Sequence, residues 1–245
     1  MLEDFVGQQV RNVSDLGDGW FEIDFYSKVF VTNRPFSTDY YTGIFRLHDE
    51  ENKMNIPEDR LTYLATKADI FGVVFVCEPV FNNPKFVLWS GSSKPFQHHY
   101  GKGGLVIHTA EVVNRTLGSP LEEQRVFLAG LFHDVGKMWD YEPCGVSQDK
   151  DHQYDEWRGT EHKRTIHHIT RSAIEWTKAL VKTGTWADEF QDDIMHAILA
   201  HHGSRQAGSP VFPKTKLAWL LHLCDGISAR MDDADKNDYL GEVRK

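Results

Sequence analysis

Cysteine is scarce in this sequence, and its few cysteines are widely separated. Cys77, Cys144 and Cys224 are odd in number and form no CxxC pair. A disulfide framework and a structural zinc site built from thiolates both need several suitably spaced cysteines. The sequence therefore argues against both, and a reducing compartment, the cytoplasm, is the expected location.

Long apolar runs are missing as well. No stretch approaches the roughly 18 uninterrupted apolar residues of a membrane-spanning helix. The N-terminal segment MLEDFVGQQV has neither the basic nor the apolar region of a signal peptide. Internal repeats and low-complexity tracts, which would indicate a solenoid or a disordered chain, are also absent. We therefore expect a folded cytoplasmic protein with no membrane partner.

Basic residues are outnumbered by acidic ones. The chain has 27 Lys and Arg against 36 Asp and Glu, a net charge of -9. Residues 1–90 alone hold eight basic and 14 acidic residues, a net charge of -6. Proteins that bind nucleic acid without sequence preference neutralise its phosphates with Lys and Arg. The composition therefore argues against a large nonspecific nucleic-acid surface, above all in the first 90 residues.

The first part of the chain has the composition of strands. β-branched and aromatic residues are enriched in five segments, 20–26, 28–33, 40–49, 69–80 and 85–90, and one helix is predicted to begin at Pro57. The segment GSSKP at 91–95 has the composition of a linker. We predict an α+β chain in which a small β-rich domain, with an OB-type barrel as one option, spans 1–92 and an all-α helical bundle spans 93–245.

Histidine is concentrated in the second part. Of 13 histidines, only His48 precedes residue 98. Apolar residues recur at helical spacing before His201 and before Asp225, so both side chains are predicted to point into the protein. The polar residues 140–161 show no period and are predicted to form a long loop that could cover a site.

Five histidines and two aspartates form a pattern that suits metal ions. They come from five predicted helices: His108, His133 with Asp134, His168, His201 with His202, and Asp225. Imidazole and carboxylate donors without thiolates favour manganese, iron, cobalt or nickel, with zinc or magnesium as alternatives. Five His and two Asp are too many for one tetrahedral ion, so we predict two divalent ions that share Asp134.

The order of these residues, H…HD…H…HH…D, resembles the HD superfamily of metal-dependent phosphohydrolases. The flanking segments GGLVIHT (103–109), AGLFHDVGK (129–137), HHI (167–169), LAHHGSRQAGSPVFP (199–213) and LLHLCDGISARM (220–231) are similar to those of YhaM-like 3'-5' exoribonucleases. The resemblance covers about 95–235. One position departs from it: His167 stands where that family usually has Gly, which leaves His167 and His168 as alternatives for the third histidine.

The resemblance implies an HD-domain bundle in which two sets of residues each hold one metal ion. His108, His133, Asp134 and Asp225 would hold one ion, and Asp134, His168, His201 and His202 the other. A hydroxide that bridges the ions would attack phosphorus, with Asp134 as the shared ligand and Lys137 neutralising charge on the phosphoryl oxygens.

His98, His99, Lys137, Arg205 and Arg230 are the predicted substrate contacts. His162 is expected to lie at the surface.

Three functions remain open on the sequence. The first is a phosphodiesterase acting as a 3'-5' exonuclease on single-stranded RNA or DNA. The second, favoured by the net charge of -9, is a cyclic-nucleotide or (deoxy)nucleotide phosphohydrolase. The third is a noncatalytic regulatory HD module. A homo-oligomer is compatible with each of them.

Overall fold

The computed structural model describes most of the chain from residue 57 onward and five strands before it. The described ranges are 10–17, 20–25, 28–32, 36–38, 45–47, 57–94, 97–146, 155–183 and 186–243. The chain divides into two compact units, Met1–Asn55 and Ile56–Lys245. Each unit is described by itself.

The first unit is built from antiparallel strands. β1 (Val10–Gly17), β2 (Trp20–Phe25) and β3 (Lys28–Thr32) form one sheet in that order, and β4 (Phe36–Thr38) pairs with β5 (Phe45–Leu47). The predicted strands at 20–26 and 28–33 are confirmed as β2 and β3. β5 falls within the predicted strand at 40–49, the rest of which lies outside the described residues. The OB-type barrel stays a prediction.

The predicted strands at 69–80 and 85–90 are wrong. The helix α1 (Pro57–Ile70), which begins where predicted, is followed by two more helices, α2 (Val74–Phe81) and α3 (Pro84–Leu88). Val73, Val76, Cys77 and Val80 are buried at helical spacing, so α2 packs its apolar face into the second unit. The boundary between the units therefore lies between Asn55 and Ile56 rather than after residue 92, where we predicted it.

The second unit is the predicted helical bundle. Within the described residues, seven helices follow α1 to α3: α4 (Gly104–Leu117), α5 (Glu123–Phe132), α6 (Lys137–Asp140), α7 (Glu161–Thr165), α8 (His168–Thr183), α9 (Asp188–Ala200) and α10 (Lys216–Val243). α4, α5, α9 and α10 pack against one another around a continuous apolar core. In the part of the chain that the structure describes, no helix is long and apolar enough to cross a membrane.

The predicted long loop at 140–161 contains two strands in the part that the structure describes. β6 (Tyr141–Val146) and β7 (Asp155–Gly159) pair in antiparallel fashion. Trp157 of β7 is buried, and its ring packs edge-on against Trp89 at 5.4 Å between centroids. The Trp89 Nε1 donates to the Tyr141 carbonyl at 2.6 Å. The pairing and these contacts tie the strands to the bundle, which a search for periodicity in polar residues could not detect.

Candidate metal centre

The seven predicted metal-binding residues meet inside the second unit. His108 lies on α4 and Asp225 on α10, and both face the bundle interior. His133 and Asp134 directly follow α5, His201 and His202 directly follow α9, and His168 is the first residue of α8. The structure thus brings together, near the middle of the bundle, residues that are up to 117 positions apart, as the contact of His108 with Asp225 shows.

These residues form two ligand groups that share one carboxylate. The first ligand group is His108, His133, Asp134 and Asp225, and the second ligand group is Asp134, His168, His201 and His202. In each group the ligand atoms lie within 4.8 Å of one another. The Asp134 Oδ2 faces Nε2 of His108 at 3.3 Å, and its Oδ1 faces Nε2 of His168 at 3.5 Å and of His201 at 3.6 Å. Asp134 therefore stands between the groups with one oxygen toward each.

The donor atoms of these groups fit a cation. The Oδ1 of Asp134 and the Nε2 atoms of His168 and His201 are buried without a hydrogen-bond partner. A buried polar atom left without a partner is costly and rare, unless an ion completes its surroundings. The nitrogen and oxygen donors, with no thiolate among them, suit divalent transition metals. The residues present therefore fit a metal ion.

The histidines are held with one ring nitrogen turned toward the centre. His133 donates from Nδ1 to the Gly130 carbonyl, and His201 to the Ile198 carbonyl, each at 2.7 Å. Both carbonyls belong to the last turn of a helix, where no backbone N–H of the same helix reaches them. His202 uses its Nδ1 in the same way on the Ala207 carbonyl at 2.8 Å. A proton fixed at Nδ1 leaves the Nε2 lone pair free for a metal.

Asp140 fixes the position of His168, a role that no sequence pattern predicts. This fully buried carboxylate accepts from the His168 backbone N–H at 2.9 Å, at the N-terminus of α8, and contacts the His168 Nδ1 at 3.1 Å. Its other oxygen accepts from the His162 Nδ1 at 2.7 Å, and Arg171 donates to the His162 Nε2 at 3.0 Å. The expected surface position of His162 is wrong, because that side chain is only 14% exposed.

A third cluster of metal-binding residue types overlaps this arrangement. Asp140, His167 and His168 also have ligand atoms within 4.8 Å of one another. Both Asp140 oxygens, however, already accept hydrogen bonds from His162 and His168. The cluster is therefore better explained as support for His168 than as a further metal site.

A second network supports His108. The His108 Nδ1 lies 3.0 Å from the Ser228 hydroxyl, which donates to Glu111 at 2.8 Å. His99 reaches the same Glu111 carboxylate with its Nε2 at 3.3 Å, and its backbone N–H donates to Asp232 at 2.7 Å. Only 4% of His99 is exposed, so its ring lies behind His108 rather than at the surface. The ring centroid of His108 lies 4.7 Å from that of His99 and 6.1 Å from that of His98.

Lys137 contacts the shared carboxylate directly. Its Nζ is 2.6 Å from the Asp134 Oδ2, and the side chain is 6% exposed. Burial alone would lower the pKa of Lys137, but the charge of Asp134 outweighs it and raises that pKa. Gly136 makes this turn possible, because a Cβ there would lie 2.1 Å from the His168 carbonyl oxygen. Lys137 is therefore a buried cation beside the site.

The pKa of His108 is shifted upward, whereas the pKa values of His133, His168 and His202 are shifted downward. Burial would lower the pKa of His108, but hydrogen bonds to Asp134 and Asp225 raise it to about 9. Burial lowers the pKa of His168 to about 4 and that of His202 to about 3, the latter helped by the neighbouring imidazoles. Although burial opposes it, the bond to His108 holds the pKa of Asp225 well below its usual range.

The two arginines predicted to bind substrate lie at the surface. Arg205 is exposed in the loop after His202, and Arg230 donates to the Gly226 carbonyl of its own helix at 3.3 Å. Among the described residues, neither side chain contacts a member of the two ligand groups. Their roles toward substrate, like those of His98 and His99, stay predictions.

Comparison with known proteins points to one family. Residues 105–230 match the family described as HD domain. The chain is 28% identical over 151 residues to the 3'-5' exoribonuclease YhaM of Bacillus subtilis, a match that covers 57% of this chain and 42% of that protein. It is 27% identical over 145 residues to YhaM of Bacillus pumilus (57% and 42%) and 26% identical over 164 residues to YhaM of Bacillus licheniformis (62% and 46%). The match thus spans less than half of these relatives. No solved structure is significantly similar to the chain.

Proposed function

Because the chain belongs to the HD domain family, we propose that it is a metal-dependent phosphodiesterase that removes nucleotides from the 3' end of single-stranded RNA or DNA. The observation that carries the proposal is the pair of ligand groups joined by Asp134, whose two oxygens face different groups. The relatives named 3'-5' exoribonuclease YhaM support the choice of substrate.

The reaction needs an activated water and a means of neutralising a phosphoryl group. Divalent ions held by the two ligand groups would activate water for attack on phosphorus and offset the charge of the phosphoryl oxygens. The histidine Nδ1 bonds keep the Nε2 lone pairs directed at the centre, so the donors are preorganised. We infer that manganese, iron, cobalt or nickel is the physiological metal, because the donors are imidazole and carboxylate.

Lys137 has two tasks in this proposal. Its ammonium keeps Asp134 ionised, since the two groups are 2.6 Å apart in a buried environment. The same positive charge would stabilise negative charge on the phosphoryl oxygens as the bond to the leaving group breaks. Substrate would approach at His202 and Asp225, because these two members of the ligand groups retain solvent exposure.

A gel assay tests the proposal. A 5'-labelled single-stranded RNA oligonucleotide is incubated with purified protein, with and without Mn²⁺, and the products are resolved to single nucleotides. We expect a metal-dependent ladder that shortens from the 3' end. Asp134→Ala should lower the rate by more than about 100-fold, because even the loss of an outer partner of a metal ligand costs up to about that much. Asp192→Ala, an exposed aspartate on α9, is the matched control and should leave the rate unchanged.

The second candidate is a cyclic-nucleotide or mononucleotide phosphohydrolase. The net charge of -9 favours it, because a small substrate needs no extended basic surface. An intact oligonucleotide together with hydrolysis of 3',5'-cyclic nucleotides or nucleoside monophosphates would select this candidate. A purified protein that takes up no metal and hydrolyses none of these substrates would instead be a regulatory HD module.

A further inference from the structure

His167 adopts a backbone conformation that suits glycine better than histidine. It connects α7 to α8, immediately before His168, and has φ 69°. In this left-handed region the Cβ of any residue other than glycine is crowded by the backbone. The turn is fixed on both sides, because the His167 N–H donates to the His162 carbonyl at 2.9 Å and the His167 carbonyl accepts from Arg171 at 3.1 Å. The position thus demands the conformation whatever residue occupies it.

The imidazole of His167 lies beside the second ligand group. Its ring centroid is 4.1 Å from that of His168 and 6.4 Å from that of His202. The loop after His202 passes close to the ring, since a Cβ on Gly208 would lie 3.5 Å from the His167 Cε1. The side chain is neither fully buried nor fully exposed. His167 therefore stands at the border between the second ligand group and solvent.

Among the described residues, none forms a hydrogen bond or an ion pair with this imidazole. Every histidine of the two ligand groups bonds a protein atom through Nδ1, and His162 bonds Asp140 and Arg171. By contrast, the His167 ring makes only ring contacts, with no hydrogen bond or ion pair to any residue that the structure describes. The strained backbone costs stability, and no hydrogen bond of this ring to a described residue offsets that cost.

His167 is also poorly placed to replace His168 as a metal ligand. His168 directs its Nε2 at the Asp134 Oδ1. Among the described residues, His167 has its ligand atoms within 4.8 Å of those of Asp140 and His168 alone. Both Asp140 oxygens are occupied by hydrogen bonds. Of the two alternatives that the sequence left open for the third histidine, the geometry therefore favours His168.

We propose that His167 is a substrate-binding residue whose imidazole N–H donates a hydrogen bond to a nonbridging oxygen of the phosphodiester next to the second ligand group. This inference rests on the proposed function, because it requires a phosphodiester in the site. It assigns to this strained position an interaction that none of the described residues supplies.

Two substitutions separate substrate binding from structure. His167→Gly relieves the strained φ and removes the imidazole, and His167→Asn removes the imidazole while keeping a residue that tolerates this conformation. We expect each variant to show a KM for the RNA oligonucleotide about tenfold above wild type, the size of one lost hydrogen bond to a charged group. The metal content per chain should stay at the wild-type value. The melting temperature of His167→Gly should equal that of wild type or exceed it by about 2 °C.

His196→Asn is the matched control. This histidine accepts a hydrogen bond from the Lys214 backbone N–H and contacts neither ligand group, so its KM should stay at the wild-type value. A fall of several degrees in the melting temperature of both His167 variants, or a loss of metal, would assign His167 to structure or metal binding and overturn the proposal.

The failure of this inference can be told from the failure of the proposed function. Active wild-type protein together with an unchanged KM in both His167 variants overturns the inference alone. Wild-type protein that degrades neither RNA nor DNA overturns the proposed function, and the role of His167 with it.

Discussion

The first ligand group contains two carboxylates, whereas the second contains only the shared Asp134 and three imidazoles. Their supports differ as well. His108 of the first group is hydrogen-bonded to the hydroxyl of Ser228, which is hydrogen-bonded in turn to Glu111. His168 of the second group leans on the buried carboxylate of Asp140, which is held in turn by His162. The first group thus concentrates negative charge, and the second presents neutral donors next to the unpartnered imidazole of His167.

This difference predicts that each group can be emptied separately. Asp225→Ala removes a donor from the first group only, and His201→Ala removes one from the second only. We expect the metal content of each variant, measured by mass spectrometry after dialysis, to fall from about two ions per chain to about one. Catalytic rates should fall by more than about 100-fold in both, because a two-metal site needs both ions to stabilise the attacking and leaving oxygens.

The contrast between the two ligand groups would be contradicted if either substitution removed the metal ions from both groups. Loss of all metal from Asp225→Ala and from His201→Ala would mean that the two groups form one cooperative site. Asp192→Ala controls for the loss of an acidic residue remote from the ligand groups, and its metal content should match that of wild type.

The residues that support His168 and His108 predict a smaller effect, which is again confined to one ion. Asp140→Asn keeps the shape of the side chain but cannot accept from His162 and His168 with both of its terminal atoms. It should weaken binding of the ion in the second group by about 10- to 100-fold. Ser228→Ala should weaken binding in the first group by less, because a neutral hydroxyl polarises His108 less than a carboxylate polarises His168.

Titration of metal-free protein in competition with a chelator measures both affinities. Equal weakening of both ions in Asp140→Asn would contradict the separate supports. Arg171→Ala sharpens the comparison further. Arg171 acts on His168 only through His162 and Asp140, so its removal should weaken the same ion by less than Asp140→Asn does.

The sequence predicted which residues meet at the site better than it predicted what supports them. His133-Asp134 and His201-His202 are recognisable because two donor residues adjoin at the end of a helix, and the structure brings all seven residues together. Asp140 and Ser228 carry no such signal, since one acid or one hydroxyl near a helix end is ordinary. Their roles depend on contacts across 28 and 120 positions of the chain, which local periodicity does not encode.

The errors in the fold have a similar origin. The segment around α2 is rich in Val and Phe, which favour strands when they are judged by residue type alone. Its buried positions Val76, Cys77 and Val80 nevertheless follow helical spacing, and burial against the bundle decides the outcome. The strand-like composition therefore moved the predicted domain boundary too far along the chain. The helices of the second unit were predictable because their apolar faces extend over several turns.

The smallest expected effect is a pH dependence in which His108 of the first group acts in the opposite direction to His168 and His202 of the second group. In metal-free protein the pKa of His108 lies at about 9, above its ordinary value of 6.5, so its contribution to stability is complete below pH 6.5 and is lost as the pH rises toward 9. The pKa values of His168 and His202 lie at about 4 and 3, below 6.5, so the unfolded chain binds more protons there and stability falls as the pH drops below 6.5. The melting temperature of chelator-treated protein, followed by circular dichroism from pH 5 to 9, should therefore pass through a maximum near pH 6.5 and fall by about 5 °C or more on the alkaline side.

Asp225→Asn should flatten the alkaline fall alone, because it removes a partner that raises the pKa of His108. A melting temperature that rises steadily to pH 9 would contradict the excess of negative charge assigned to the first ligand group, and with it the contrast between the two groups.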